Sequence, residues 1–143
     1  MDHVAYMKKS WGLLPKILSG EKRIESRWYQ SKHLPWDRIK AGDRVFFKNS
    51  GEMITAVSLV EKVLQFENLD PQKIKEILKK YGESDGIEIN KMNYFYDLFK
   101  NKKYCLLIFL KNPKKIETFD INKKGFGAMS AWISVKNIDT IRR

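Results

Sequence analysis

The 143-residue chain has a single cysteine, Cys105, so it forms no internal disulfide, and a reducing compartment suits it best. The apolar neighbours of that thiol, Tyr104, Leu106, Leu107 and Ile108, read as a buried strand. Histidine is nearly as scarce. His3 and His33 with Cys105 fall short of the Cys and His set that a structural zinc needs, so no metal is expected, and no residue pattern calls for a cofactor. No apolar run is long enough to span a bilayer. Asp2 and His3 before the brief Val4, Ala5 and Tyr6 lack the apolar core of a secretory leader. A soluble, cytoplasmic protein with no membrane partner is the expectation. Linkers, repeats and low-complexity tracts are missing too, and the length suits one α+β domain over 1–143, expected to be a monomer.

Acidic residues are also in deficit. Seventeen Asp and Glu stand against twenty-eight Lys and Arg, a formal charge of +11. That excess attracts polyanions such as RNA, although a lysine-rich solvated surface has the same composition. Hydrophobic residues at 43% are enough for a packed core rather than a disordered chain.

Chemistry-bearing residues concentrate in 20–27, G-E-K-R-I-E-S-R, behind the apolar run Leu13, Leu14, Ile17 and Leu18. That run reads as a short helix, and Gly20 fits its end, where a residue without Cβ turns left-handed and releases the chain as a strand. Lys22 falls at the junction. Beyond it, the two-residue repeat of a strand puts Glu25 and Arg27 on one face and Ile24, Ser26 and Trp28 on the other. A lysine, a carboxylate and a guanidinium thus meet beside one turn, a cluster able to bind anions or move protons. An ordinary surface ion pair, and a lysine offsetting a helix end, account for the same residues more plainly.

Strands are expected at 3–7, 23–29, 44–48, 53–63, 103–110 and 131–135, with Asn49, Ser50 and Gly51 turning a hairpin and Asn112 and Pro113 a second turn. Ser10 is the expected cap of a helix over 11–19, in which Pro15 is tolerable only near the first turn. Asp70 and Pro71 open another helix whose Ile74, Ile77, Leu78 and Tyr81 recur at helical spacing until Gly82 ends it. Met92, Phe95 and Phe99 mark a further amphipathic helix over 92–99.

The spaced pattern G-x-K-x-x-E-x-R, as Gly20, Lys22, Glu25 and Arg27 behind an apolar helix, resembles the signature of the ASCH domain, the activating signal cointegrator homology family of the PUA-like superfamily. The resemblance extends over most of the chain. Residues 36–45 look like the family's turn into the next barrel strand, and 57–78 like its strand followed by a helix. What it implies is a small curved or closed β-barrel with helices packed at its mouth, and a cleft facing single-stranded RNA or a nucleotide-like ligand.

Two segments would complete such a site: Lys8, Lys9, Ser10 and Trp11, and the loop 123–132, K-K-G-F-G-A-M-S-A-W. Lys8, Lys9, Lys123 and Lys124 can meet phosphate, Trp11, Phe126 or Trp132 can stack on a base, and Ser130 adds a hydroxyl. Each aromatic has an equally available packing reading, with Trp11 and Trp132 plugging the barrel ends and Phe126 lying under its loop.

A second resemblance is to small ASCH-fold amidohydrolases of N4-acetylcytidine, which use a lysine, a threonine and a glutamate. Lys22 matches the lysine, and Glu67 with Asn68 resembles the Glu-Asn ahead of the corresponding helix, but Glu25 stands where those enzymes have threonine. A carboxylate there removes the hydroxyl nucleophile and leaves acid-base roles for Lys22, Glu25 and Glu67. Three readings follow: a domain binding RNA or a modified nucleoside, a hydrolase of N4-acylated cytidines, and a protein-interaction module for an acidic partner.

Overall fold

A computed structural model describes residues 1–127 and 129–143, so Ala128, part of the glycine-rich loop, lies outside the described residues. Strand β1 (Asp2–Met7) leads into a 3-10 turn over Lys9–Trp11 and then helix α1 (Leu13–Ser19). Strands β2 (Ile24–Tyr29), β3 (Arg44–Asn49) and β4 (Ile54–Phe66) follow, then helices α2 (Pro71–Tyr81) and α3 (Met92–Phe99), and strands β5 (Tyr104–Phe119) and β6 (Trp132–Val135). One sheet holds all six strands in the order β2-β5-β4-β3-β1-β6, with β1 and β3 parallel and every other pair antiparallel.

The sheet curls into a half-barrel whose backbone ladder leaves β2 and β6 as edges. Its inner face buries Ala5, Met7, Val45, Phe47, Leu106 and Ile108 against Leu14 and Ile17 of α1. On the outer face α2 and α3 cover Ile24, Trp28, Cys105 and Leu107, while Val4, Phe46, Phe119 and Ile133 form a third cluster with Ile138. Alternation along the strands produces these layers, since successive side chains point to opposite faces. Cys105 is the buried strand thiol expected of it, and burial pushes it well above the ordinary thiol range.

Three local expectations need correcting. Ser10 caps no helix; it lies inside the 3-10 turn, and Gly12, at φ 64, makes the break that starts α1 at Leu13. Pro15 therefore sits third in α1, where a missing N–H costs no helical bond. Asn112 and Pro113 do not end a strand: Asn112 takes φ 51, the register against β4 shifts there, and β5 bends as a bulge and continues to Phe119. Strand β4 likewise runs on to Phe66 because β5 remains beside it. Gly82 does end α2, but right-handed at φ −58; a side chain there would collide with Met92 and the Leu78 carbonyl. At the start of α2, Asp70 accepts from the Lys73 amide at 2.8 Å with Pro71 in the first turn.

Candidate functional site

Gly20 closes α1 in the left-handed conformation at φ 83, and the Lys22 amide reaches back to the Lys16 carbonyl at 2.9 Å. That turn drives the Lys22 side chain inward until it is 2% exposed. Its ammonium donates at 2.6 Å to each of three oxygens, the Ile24 carbonyl, the Asp85 carbonyl and Asp85 Oδ1. Glu25 Oε1 lies 3.2 Å from the same ammonium, and Glu25 Oε2 accepts from Arg27 Nη2 at 2.8 Å. Two cations and two carboxylates form one buried chain with no net charge.

Asp85 comes from the turn after α2. There the Ser84 carbonyl accepts from the amides of Arg23 and Ile24, at 2.7 and 2.9 Å, and locks the turn onto the start of β2. Gly86, at φ 83, lies so close that a Cβ there would stand 3.2 Å from the Lys22 Cβ. The other Asp85 oxygen, Oδ2, accepts from Ser26 Oγ at 2.6 Å, and Ser26 Oγ accepts from the Trp28 indole at 3.1 Å.

The electrostatics split the two acids. Burial raises Glu25, but the charges of Lys22 and then Arg27 outweigh it and hold the carboxyl below its ordinary value. At Asp85 burial prevails over Lys22 and the Ser26 hydrogen bond, and the carboxyl is raised. Glu25 has two cationic partners and Asp85 has one, so a proton entering the cluster goes to Asp85. Burial would depress Lys22, yet Asp85 and Glu25 more than offset it and the ammonium is held above the usual lysine value.

Arg27 fastens the open seam of the half-barrel. From edge strand β2 its Nη2 donates to the Tyr6 carbonyl of β1 at 3.2 Å and its Nη1 to the Ala131 carbonyl ahead of β6 at 3.3 Å. Among the described residues its Nε is the one enclosed polar side-chain atom without a partner. The outward main chain of β2 faces the same seam, since the carbonyls of Arg23 and Tyr29 bond towards β5 and alternate residues point away.

Here a cleft of about 470 Å³ opens. Its polar lining comes from Lys22, Glu25, Ser26, Arg27 and Asp85, its aromatic lining from Trp11, Trp28, Phe95 and Phe99, and Lys8 and Lys102 add cations. Trp28 stacks on Phe99 at 4.6 Å and Trp11 meets Phe95 edge-on at 5.2 Å. Lys8 Nζ lies 5.2 Å from the Trp11 ring.

Residues expected at the site divide. Lys8, Trp11, Lys22, Glu25 and Arg27 line the cleft. Lys9 is exposed and paired with Glu52 outside it. Trp132 is no stacking platform: 3% exposed, it packs inside the barrel, donates to His3 Nδ1 at 3.1 Å and carries the Arg27 guanidinium 5.1 Å from its ring. Phe126 packs against the outer cluster of Val4 and Phe46, Ser130 donates to the Trp132 carbonyl at 2.7 Å, and Lys123 and Lys124 are exposed outside the cleft lining. Glu67 is 57% exposed, pairs loosely with Lys32 and is absent from the cleft, so its match to a catalytic glutamate fails on position. Asp85 stands beside Lys22 instead. Its signal was an acid flanked by glycine turns, G-E-S-D-G, which reads in sequence as a mere helix end. Among the described residues no group of His, Cys, Asp and Glu side chains could hold a metal ion, and no helix is long and apolar enough to cross a membrane.

No family model matches the chain, and no curated protein does. Solved structures do. An ASCH protein of Zymomonas mobilis superposes with a TM-score of 0.68 at 14% identity, over 97% of this chain and 90% of the other. Two single-residue variants of that protein give 0.69 at 14% identity and 0.68 at 15%, each over 97% of this chain and over 93% and 91% of theirs. Likeness at this level of identity speaks for the fold. The chain has the fold of the ASCH domain, a PUA-like α+β half-barrel.

Proposed function

We propose that the cleft binds single-stranded RNA or a modified nucleoside. The observation that carries this reading is the pairing of aromatic walls, Trp11, Trp28, Phe95 and Phe99, with a polar floor of the buried acids Glu25 and Asp85 and the half-buried Arg27. Sites for small organic ligands combine mainly apolar walls with a few convergent polar groups in volumes of about 300–1,000 Å³. A nucleobase offers a π-face to the walls and amino groups to the floor. Glu25 is the acceptor for a base amino group, because each of its oxygens retains a lone pair beyond its bond to Lys22 or Arg27.

Lys22 organises the floor and does not grip phosphate itself, since its donors are already committed to Ile24 and Asp85. With Lys22 and Arg27 neutralised internally, the cations of the cleft lining left to attract an RNA strand are Lys8 and Lys102. Thermal-shift and calorimetric titration with nucleosides and short single-stranded RNAs test the reading; a cleft that binds neither refutes it.

Hydrolysis of an N4-acylated cytidine is the second reading, and one observation favours it. Ser26 Oγ lies in the cleft 2.6 Å from Asp85 Oδ2, and burial raises that carboxyl above its ordinary value, which favours its taking a proton from the hydroxyl. Ser26 would supply the hydroxyl that Glu25 cannot. Release of acetate from N4-acetylcytidine, lost in Ser26→Ala and in Asp85→Asn, would establish it.

A further inference from the structure

Lys48 of β3 is 2% exposed, yet among the described residues its ammonium has no hydrogen-bond or ion-pair partner. Parallel pairing sets Lys48 beside Tyr6 of β1, and its Nζ lies 5.0 Å from the centre of the Tyr6 ring. Lys123, from the loop between β5 and β6, brings a second ammonium to 6.0 Å from the same ring. Asp120 is the acid whose charge acts on Lys48, but it stands outside salt-bridge reach and turns its Oδ1 to the Ile121 amide at 2.9 Å. Burial depresses the Lys48 ammonium and the charge of Lys123 depresses it further. The Lys48 stem is buried while its ammonium reaches solvent at the tip, so two cations converge on one ring with no paired anion among the described residues.

Their position suggests what would balance the two charges. Tyr6 also lines the cleft and its carbonyl accepts from Arg27, while its ring packs with Val4 and Phe46, so one residue of β1 stands between the two lysines and the proposed base-binding floor. We propose that Lys48 and Lys123 form a phosphate site beside Tyr6, holding a backbone phosphate of the strand whose base lies in the cleft. This rests on the nucleic-acid reading of the cleft and adds a second point of contact to it. The Tyr6 ring orients both ammonium groups by cation-π attraction, and an arriving phosphate supplies the missing negative charge.

The test is titration of cytidine, a single-stranded trinucleotide and inorganic phosphate into the wild-type protein, Lys48→Met, Lys123→Met and, as a bulk-charge control, Lys79→Ala on the exposed side of α2. Lys48→Met and Lys123→Met should each weaken trinucleotide binding about tenfold and lower its salt slope by about 0.7, the value for one contact to a single strand. Cytidine affinity should be unchanged in both, and Lys79→Ala should match the wild type. Lys123→Met keeps the test valid if the Lys48 variant folds poorly. Wild-type trinucleotide affinity in both variants, or an equal loss in Lys79→Ala, overturns the proposal. Cytidine failing to bind while the trinucleotide binds through Lys48 would refute the cleft reading and uphold the phosphate site. Tight binding of inorganic phosphate alone, with no gain for the trinucleotide over cytidine, would overturn the strand assignment.

Discussion

The ammonium of Lys22 meets both the carbonyl oxygen and a carboxylate oxygen of Asp85 at 2.6 Å, across 63 residues of sequence. Two turns are joined by that contact: the one after α1, which Gly20 makes, and the one after α2, in which Gly86 lies against the lysine stem. Removing one member of a buried ion pair leaves an uncompensated charge. Lys22→Met should therefore cost about 3–5 kcal/mol in chemical denaturation. The double variant with Asp85→Asn should recover part of that loss, because the coupled charge is removed with its partner. Strictly additive losses would show that the two side chains do not act together.

Gly86→Ala tests the packing of the same junction. The left-handed backbone alone costs a non-glycine residue about 1–2 kcal/mol. The new methyl would also press on the Lys22 stem at 3.2–3.3 Å. The expected result is a lower melting temperature together with weakened ligand binding, since displacement of Lys22 loosens Glu25. Gly125→Ala, equally left-handed but with open space around its Cβ position, should lower stability without touching the cleft.

The pH dependence follows from the directions of the shifts. Glu25 is depressed, so its contribution is present above the ordinary carboxylate value and is lost as pH falls through its folded value. Asp85 is raised and acts in the opposite sense, favouring the folded state as it takes up a proton in acid. Asp85→Asn should therefore make the loss of stability on acidification steeper. On the alkaline side Lys22 is raised and burial pushes Tyr29 up to about 12, so stability should fall as pH rises past 10, and Tyr29→Phe should blunt that fall. Urea midpoints measured from pH 3 to 11 check both limbs.

How much of this was readable from sequence depends on the range over which each feature is determined. The glycine end of α1, the place of Lys22 at the junction and the alternation of Glu25 and Arg27 against Ile24, Ser26 and Trp28 are local, set by turn chemistry and the two-residue strand repeat. So is the Asp70 and Pro71 start of α2. Asp85 was hidden because nothing local distinguishes a surface acid in a helix-ending turn from one that pairs with a lysine 63 residues away. Trp132 failed as a platform for a related reason: a tryptophan after a glycine-rich loop looks available, but β1 pairing carries it into the barrel beside His3. Glu67 matched a short pattern whose position in space only the fold decides.

Ser26→Ala separates structure from chemistry. It leaves Asp85 Oδ2 and the Trp28 indole each short of a partner, so stability should fall by about 1–3 kcal/mol. Ligand affinity should fall only slightly if Ser26 merely braces the floor. Complete loss of acyl-cytidine turnover with affinity retained would instead mark the hydroxyl as the nucleophile.

The tryptophans give the most direct view of the cleft. Trp11 and Trp28 line it, whereas Trp36 is buried against Tyr104 and does not. Following the indole N–H resonances during titration with a short single-stranded RNA should show saturable shifts at Trp11 and Trp28, a stationary Trp36, and weaker binding in Glu25→Gln. Titration to saturating RNA with Trp11 and Trp28 unmoved, or with equal affinity in Glu25→Gln, would contradict the assignment of this cleft as the nucleic-acid site.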